Sequence, residues 1–264
     1  MHSIITLTTD FGTRDGFAGQ MKGVILGINP SVRLIDVTHD IRPFSVMEGA
    51  LVLKGLSRYF PPETIHVGIV DPGVGSGRRN MVLRAERHYY VGPDNGLFSW
   101  ILCSDKPWEA REIQNPDFTL PDPHPTFHGR DVFAPVAAHL STGKDFASVG
   151  PVLDHPVVLS VPPVIQTPGG IEGRIIHIDR FGNLFSNIEE RLLTRTVKTI
   201  EAGNTRINGI SRFFSEAPEG VAVAVINSFG LLEIAVNRGE AASALGIGID
   251  AQVGIRWDEE DSTW

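Results

Sequence analysis

The sequence contains a single cysteine, Cys103, among 264 residues. One thiol excludes a disulfide framework within the chain and any zinc site built on two or more thiolates, and it fits a reducing compartment. Long apolar runs are also missing, since no window approaches the roughly 18 uninterrupted apolar residues of a membrane-spanning helix. The opening segment Met1-His2-Ser3-Ile4-Ile5-Thr6-Leu7-Thr8-Thr9-Asp10 has no basic stretch ahead of its apolar residues, so it reads as a first β-strand and a cytoplasmic protein is expected. Runs of Lys and Arg are absent, and the formal net charge is -8. A chain of that sign lacks the electrostatic footprint of a nucleic-acid binder. Neither Gly-x-Gly-x-x-Gly after the first strand nor Gly-x-x-x-x-Gly-Lys-Ser/Thr occurs, which removes the usual pyrophosphate cradles.

What is present is the composition of a folded enzyme-sized chain. Hydrophobic residues at 42% and charged residues at 20% lie inside the globular range. At roughly 150 residues per domain, the length allows one large domain or two modest ones. Residues 4–150 alternate short β-branched runs with helical periodicity, the pattern of a mostly parallel sheet covered by helices. Strands are expected at 4–8, 32–37 and 64–70, a hairpin pair at 81–85 and 89–92, and helices at 46–59 and 131–140. Phe17, Met21, Val24, Ile25 and Ile28 fall on one face of a further helix that stops at Asn29-Pro30. Pro156, Pro162, Pro163, Pro168, Gly169 and Gly170 break the chain into a linker over 156–170. This division gives an α/β domain over 1–155 and a second domain over 171–264. In the latter, short runs at 173–178, 221–226, 231–236 and 252–256 suit a small β-barrel or sandwich, followed by an acidic tail at 258–264.

In an open α/β sheet the ligand crevice lies outside the carboxyl ends of the strands, so the residues that follow each strand carry the most information. Asp10-Phe11-Gly12-Thr13-Arg14-Asp15 follows the first strand, and Thr38-His39-Asp40-Ile41-Arg42-Pro43-Phe44 the second. Asp71-Pro72-Gly73-Val74-Gly75-Ser76-Gly77-Arg78-Arg79 follows the third, Gly92-Pro93-Asp94-Asn95-Gly96 a later one, and Thr126-Phe127-His128-Gly129-Arg130-Asp131 precedes a helix. Local roles compete for several of these. Asp15 and Asp131 read equally well as helix N-caps, the Gly92 to Gly96 string reads first as a turn, and His39 as a hydrogen-bonded loop histidine. Those roles do not account for Asp10, Asp71, Arg78 and His128 converging on one sheet edge, which points to a site. The glycine-rich loop with its two arginines has the makings of an anion cradle. The carboxylates around it favour ribose hydroxyls or a cationic ligand instead. No His-Glu-x-x-His or tight His/Asp cluster occurs, and Arg78 and Arg130 oppose a cation beside those carboxylates, so no metal is expected.

Taken in order, Asp10-Phe11-Gly12, Arg42-Pro43-Phe44, Val70-Asp71-Pro72-Gly73-Val74-Gly75, Gly92-Pro93-Asp94-Asn95-Gly96, Thr126-Phe127-His128-Gly129-Arg130-Asp131, Phe181-Gly182-Asn183 and Asn227-Ser228-Phe229-Gly230 resemble the S-adenosylmethionine hydroxide adenosyltransferases. The resemblance runs from residue 10 to about 240. It implies a Rossmann-like N-terminal domain, a C-terminal β-barrel, and a homotrimer with sites between the N-domain of one subunit and the C-domain of the next. The implied reaction is hydrolysis of S-adenosyl-L-methionine at ribose C5′ to adenosine and L-methionine, with no cofactor. Asp71, Arg78 and His128 resemble the family's triad. Asp71 and His128 would orient and deprotonate water, and Arg78 would hold the Asp71 carboxylate in its charged form. The residues leave open which of them takes the proton.

By the same resemblance Asp10 would hold the ribose hydroxyls, Asp15 and Ser228 the amino-acid end of the methionine, and Phe44 would line the ligand. Asp179, Asn183, Phe185, Phe229, Glu233 and the backbone near Val236 would supply the rest, including the adenine pocket. Phe185 and Phe229 read equally as barrel core. The related fluorinase carries an aromatic residue where this chain has Asp71, and an extra loop that this chain lacks. A carboxylate there repels a halide and favours water. Halide-dependent adenosyl transfer, an adenosine or S-adenosylmethionine sensor, and a metal-dependent phosphoesterase are the competing readings.

Overall fold

Strand β1, Ile4–Thr9, is buried along almost its whole length, as a β-branched run between two neighbours must be. In the computed structural model, which describes residues 3–258, it lies inside a six-stranded sheet. The chain divides into two units, with the boundary between Leu159 and Ser160. The first adds α1 (Phe17–Ile28), β2 (Arg33–Thr38), α2 (Val46–Lys54), β3 (Ile65–Ile69), β4 (Asn80–Ala85), β5 (His88–Pro93), α3 (Ser99–Leu102), β6 (Trp108–Glu112) and α4 (Ala134–Ser141). The strand order is β2-β1-β3-β5-β4-β6. β1 runs parallel to β2 and β3, and β3 to β5, whereas β4 is antiparallel to both β5 and β6.

The sheet is therefore mixed rather than mostly parallel, and the reason is local. Glu86 and Arg87, between β4 and β5, sit at φ 52 and φ 72, the left-handed pair that a tight two-residue hairpin uses, so β5 must turn back on β4. Met21 and Ile25 of α1 and Val136 and Ala137 of α4 enclose one core, and Leu53 of α2, Ile101 of α3 and Phe98 enclose a second. Phe98 occupies space left by two glycines on neighbouring strands. A Cβ on Gly92 would stand 2.2 Å from Gly68 O and 3.0 Å from the Phe98 ring.

Two helices differ from their expected spans. The helix at 46–59 ends at Lys54, and a short 3₁₀ turn, Ser57–Tyr59, takes over. The helix at 131–140 opens instead as a π-helical turn, Gly129–Phe133, before α4. Pro135 explains the widened turn, because it donates no backbone N–H and its ring crowds the carbonyl four residues back.

The second unit consists of β7 (Ile165–Thr167), β8 (Gly170–Ile178), β9 (Leu184–Glu189), β10 (Val197–Ala202), β11 (Thr205–Asn208), β12 (Ala222–Ile226), β13 (Leu231–Val236), α5 (Ala241–Leu245) and β14 (Gln252–Trp257). Its antiparallel order is β11-β10-β14-β8-β9-β13-β12, with β7 beside β8, so part of the 156–170 stretch is strand. Ser211 N donates to Ala224 O at 2.8 Å, which draws the segment after β11 onto β12 and nearly closes the sheet into a barrel-like form. Ile171, Ile175, Ile200, Ile234 and Ile255 fill it. Of the acidic tail, all but Asp258 lies outside the described residues. No helix among the described residues is long and apolar enough to cross a membrane.

Candidate active site

β1 and β3 run in the same direction, so the residues that follow them emerge at one edge of the sheet. There Asp10 and Asp71 face a cavity of about 530 Å³, and His128 enters from the segment ahead of the π-helical turn. Three of the four residues expected to converge thus line one cavity. The fourth, Arg78, ties two of them together. Its Nε donates to Asp71 Oδ1 at 2.7 Å and its Nη2 to Asp71 Oδ2, a bidentate pair with both side chains at least nine-tenths buried. Nη2 also meets His128 Nδ1 at 3.1 Å, while Nη1 donates to Asn80 Oδ1 and to Arg79 O. A guanidinium carries five N–H donors and no acceptor, so every one of them is committed within the protein.

This fixes the chemistry of His128. Because Arg78 can only donate, His128 Nδ1 is an acceptor, and the neutral ring carries its hydrogen on Nε2. Burial first, and the Arg78 charge second, hold the imidazole below its ordinary pKa, so the neutral form dominates at pH 7. The loop bearing Asp71 and Arg78 reaches the His128 segment through Gly75, whose φ is 75 and whose missing Cβ would stand 2.4 Å from Pro125 O.

Around this array the cavity is aromatic. Phe11, Phe17 and Phe127 form an edge-to-face trio with centroids 5.3 to 5.9 Å apart, and all three line the wall. Sequence reading placed Phe17 on a buried helical face. Its position at the first turn of α1, next to the strand edge, was the signal for a second role. Phe44 lines the cavity too, 72% exposed at φ 68, with its N–H donated to Asp10 Oδ2 at 2.9 Å. A phenylalanine in the left-handed region is held there by its surroundings, here by the Asp10 carboxylate.

The two N-cap readings need correction, whereas the turn around Asp94 and the loop role of His39 are as expected. Asp15 is not an N-cap, because Gly16 holds that position for α1, and Asp15 lies exposed outside the cavity wall. Asp131 is not one either. It pairs with Arg130 at 2.6 Å and accepts His124 N at 2.9 Å. Asp94 is buried, pairs with Arg79 at 2.6 Å and accepts Val157 N, so the string around it is a structural turn. His39 is a buried loop histidine with Nδ1 2.8 Å from Thr9 Oγ1.

The second unit presents a matched pair of turns. Asp179 Oδ1 accepts from Phe181 N at 2.9 Å and Asn183 N at 2.8 Å. Asn227 Oδ1 accepts from Phe229 N at 2.9 Å and Leu231 N at 3.1 Å. These turns join β8 to β9 and β12 to β13, and because β9 and β13 are antiparallel, with Leu231 opposite Glu189 and Ile234 opposite Leu184, they flank the two ends of that strand pair. Phe185 is buried with its ring 5.9 Å from that of Phe229, and Val236 ends β13 opposite Ala222, on the side of the Asp179 turn.

Glu233 stands opposite Phe185, 3% exposed, with the Asn227 and Asn183 side chains close to its carboxyl. Burial pushes its carboxyl up to about 7. A folded pKa raised above 4.5 contributes stability at low pH that is lost as pH rises towards 7. Wild-type protein is therefore expected to lose stability relative to Glu233→Gln on going from about pH 5 to about pH 8. Urea midpoints of both chains at the two pH values check this, and a constant difference between them would refute it.

Fold and site together define a two-unit protein, α/β and antiparallel barrel-like, whose first unit holds a carboxylate, a guanidinium and an imidazole as one array at a cavity. The chain belongs to the SAM hydroxide adenosyltransferase family, with the N-terminal domain model matching residues 5–150 and the C-terminal domain model residues 173–254. It is 38% identical over 246 residues to the (R)-S-adenosyl-L-methionine hydrolase of Salinispora arenicola, covering 92% of this chain and 94% of that one. It is also 38% identical to the protein of the same name from Methanocaldococcus jannaschii, over 92% of both chains. A fluorinase from Actinoplanes sp. is 31% identical over 90% of this chain and 92% of its own. In structure it resembles an uncharacterized conserved protein from Thermotoga maritima, with TM-score 0.87 and 34% identity over 96% of this chain and 99% of that one.

Proposed function

We propose that the chain hydrolyses S-adenosyl-L-methionine at ribose C5′, giving adenosine and L-methionine, with the (R)-sulfonium epimer named for its relatives as the preferred form. The observation that carries this reading is the Asp71–Arg78–His128 array at the cavity. Sulfur departs as a neutral thioether, so no acid is needed at the leaving group, and the task is to place and deprotonate water in line with the C5′–S bond. His128 Nε2–H donates to the water oxygen. Asp71 accepts its proton on a carboxylate lone pair that Arg78 leaves free, the oxygen bonds to C5′, and the C5′–S electrons pass to sulfur. Arg78 holds both groups without reaching the substrate. Asp10 binds the ribose hydroxyls, Phe44 walls the ligand, and the Asp71 charge disfavours a halide.

Several assignments rest on family likeness. In this reading the cavity is completed in a homotrimer by the second unit of a neighbouring subunit, through Asp179, Asn183, Ser228, Phe229 and Glu233. Phe185 and the Val236 backbone support that surface, and Asp15 meets the amino-acid end. The parallel strands β2, β1, β3 and β5, with the cavity beyond the carboxyl ends of β1 and β3, support a Rossmann-like description of the first unit. No cofactor takes part, and an exposed lone Cys103 suits a reducing cytoplasm.

The test is incubation with each sulfonium epimer, with and without chloride and chelator, followed by chromatography of the products. Adenosine and methionine are expected in all conditions, faster from the (R) epimer. A 5′-chloro nucleoside would replace hydrolysis by halide transfer. Intact substrate with adenosine bound would make the protein a sensor.

A further inference from the structure

We infer that Asn80 is a positioning residue for this reaction, acting through Arg78; the inference rests on the hydrolase reading above. Asn80 is the first residue of β4. Its backbone is fixed on both sides, opposite Pro93 of β5 and with its carbonyl accepting Ile113 N at 2.8 Å. Arg78, by contrast, follows a loop carrying Gly73, Gly75 and Gly77, which supplies little stiffness of its own.

The guanidinium is oriented by what holds its outer edge. Nη1 donates to Asn80 Oδ1 and to Arg79 O, and the Phe133 ring packs 5.6 Å from the guanidinium carbon. With that edge pinned, Nε and Nη2 face Asp71, and the second Nη2 hydrogen is left for His128 Nδ1. Asn80 thus sets the His128 tautomer two hydrogen bonds away. A neutral amide oxygen suits this post, because it satisfies Nη1 without competing as a charge with Asp71. Removing it leaves a largely buried N–H without an acceptor, and the fork must rotate to find one, at the expense of Asp71 or His128.

The experiment pairs kinetics with ¹⁵N NMR of the histidine ring nitrogens, His128 being assigned by difference from His128→Gln. In wild-type protein the His128 signals are expected to show the Nε2–H tautomer. In Asn80→Leu the two tautomers should mix, and kcat should fall about 10- to 100-fold with KM within about twofold. Asn80→Asp, which keeps the acceptor oxygen but adds a charge that competes with Asp71, should restore the tautomer and give a kcat between those of Asn80→Leu and wild type. Wild-type kcat in Asn80→Leu, or a loss of kcat with the His128 spectrum unchanged, would overturn the proposal. If Asn80→Leu does not fold, Asn80→Ser is read by the same criteria. Should the wild-type chain leave S-adenosylmethionine intact, the hydrolase reading fails, while the NMR comparison still decides whether Asn80 sets the tautomer.

Discussion

Asp71→Asn is expected to lower kcat for S-adenosylmethionine by about 10²- to 10⁴-fold while leaving adenosine affinity within about threefold. The amide matches the carboxylate in size but has no basic oxygen for the proton of water. It also turns an N–H₂ towards a guanidinium that can only donate. Both partners of the pair are at least nine-tenths buried, so the variant strands the Arg78 charge and should cost about 3–5 kcal/mol of stability as well. Kinetics must therefore be taken well below its melting temperature, with single-turnover rates for chemistry and adenosine titration for binding. Wild-type turnover would move the proton acceptor elsewhere, and His128 is not available for that role while its Nδ1 is occupied by Arg78.

The largest stability effect away from the site is expected from Phe98→Ala, about 3–5 kcal/mol by urea unfolding. Phe98 is 1% exposed, and its ring fills the floor formed where Gly68 on β3 and Gly92 on β5 present no side chains. Neither glycine position can grow inward to refill the space. At Gly92 a new Cβ would meet the Gly68 carbonyl at 2.2 Å, which is backbone and cannot yield. The cavity left by the ring therefore stays open, and that sets the cost at the upper part of the usual range. A loss below about 1 kcal/mol would mean that the second core relaxes around the gap.

Sequence reading located the site through strand direction. Asp10 and Asp71 each fall just beyond a β-branched run, and parallel strands deliver both to one edge without any long-range information. The apolar face of α1 was visible for the same reason, since Phe17, Met21 and Ile25 repeat at helical spacing. Pairings set by distant partners were not visible. β6 reads Trp-Glu-Ala-Arg-Glu, with charge where a buried strand would be apolar, because it lies at the sheet edge. The N-cap readings of Asp15 and Asp131 fail for local reasons, Gly16 taking the cap of α1 and the adjacent Arg130 forking onto the Asp131 carboxylate. The tautomer of His128 was out of reach of any local pattern, because it depends on a guanidinium that comes from 50 residues earlier in the chain.

The π-helical turn at Gly129–Phe133 bears on how this site tolerates change in length. Such a turn holds one residue more than an α turn. Losing that residue would tighten the turn and advance everything before it by about 100° of rotation. His128 sits immediately before the turn, so its imidazole would swing out of line with Arg78 while α4 stayed packed. The extra residue thus works as a phase setting, and a single deletion here would disconnect the imidazole from the carboxylate.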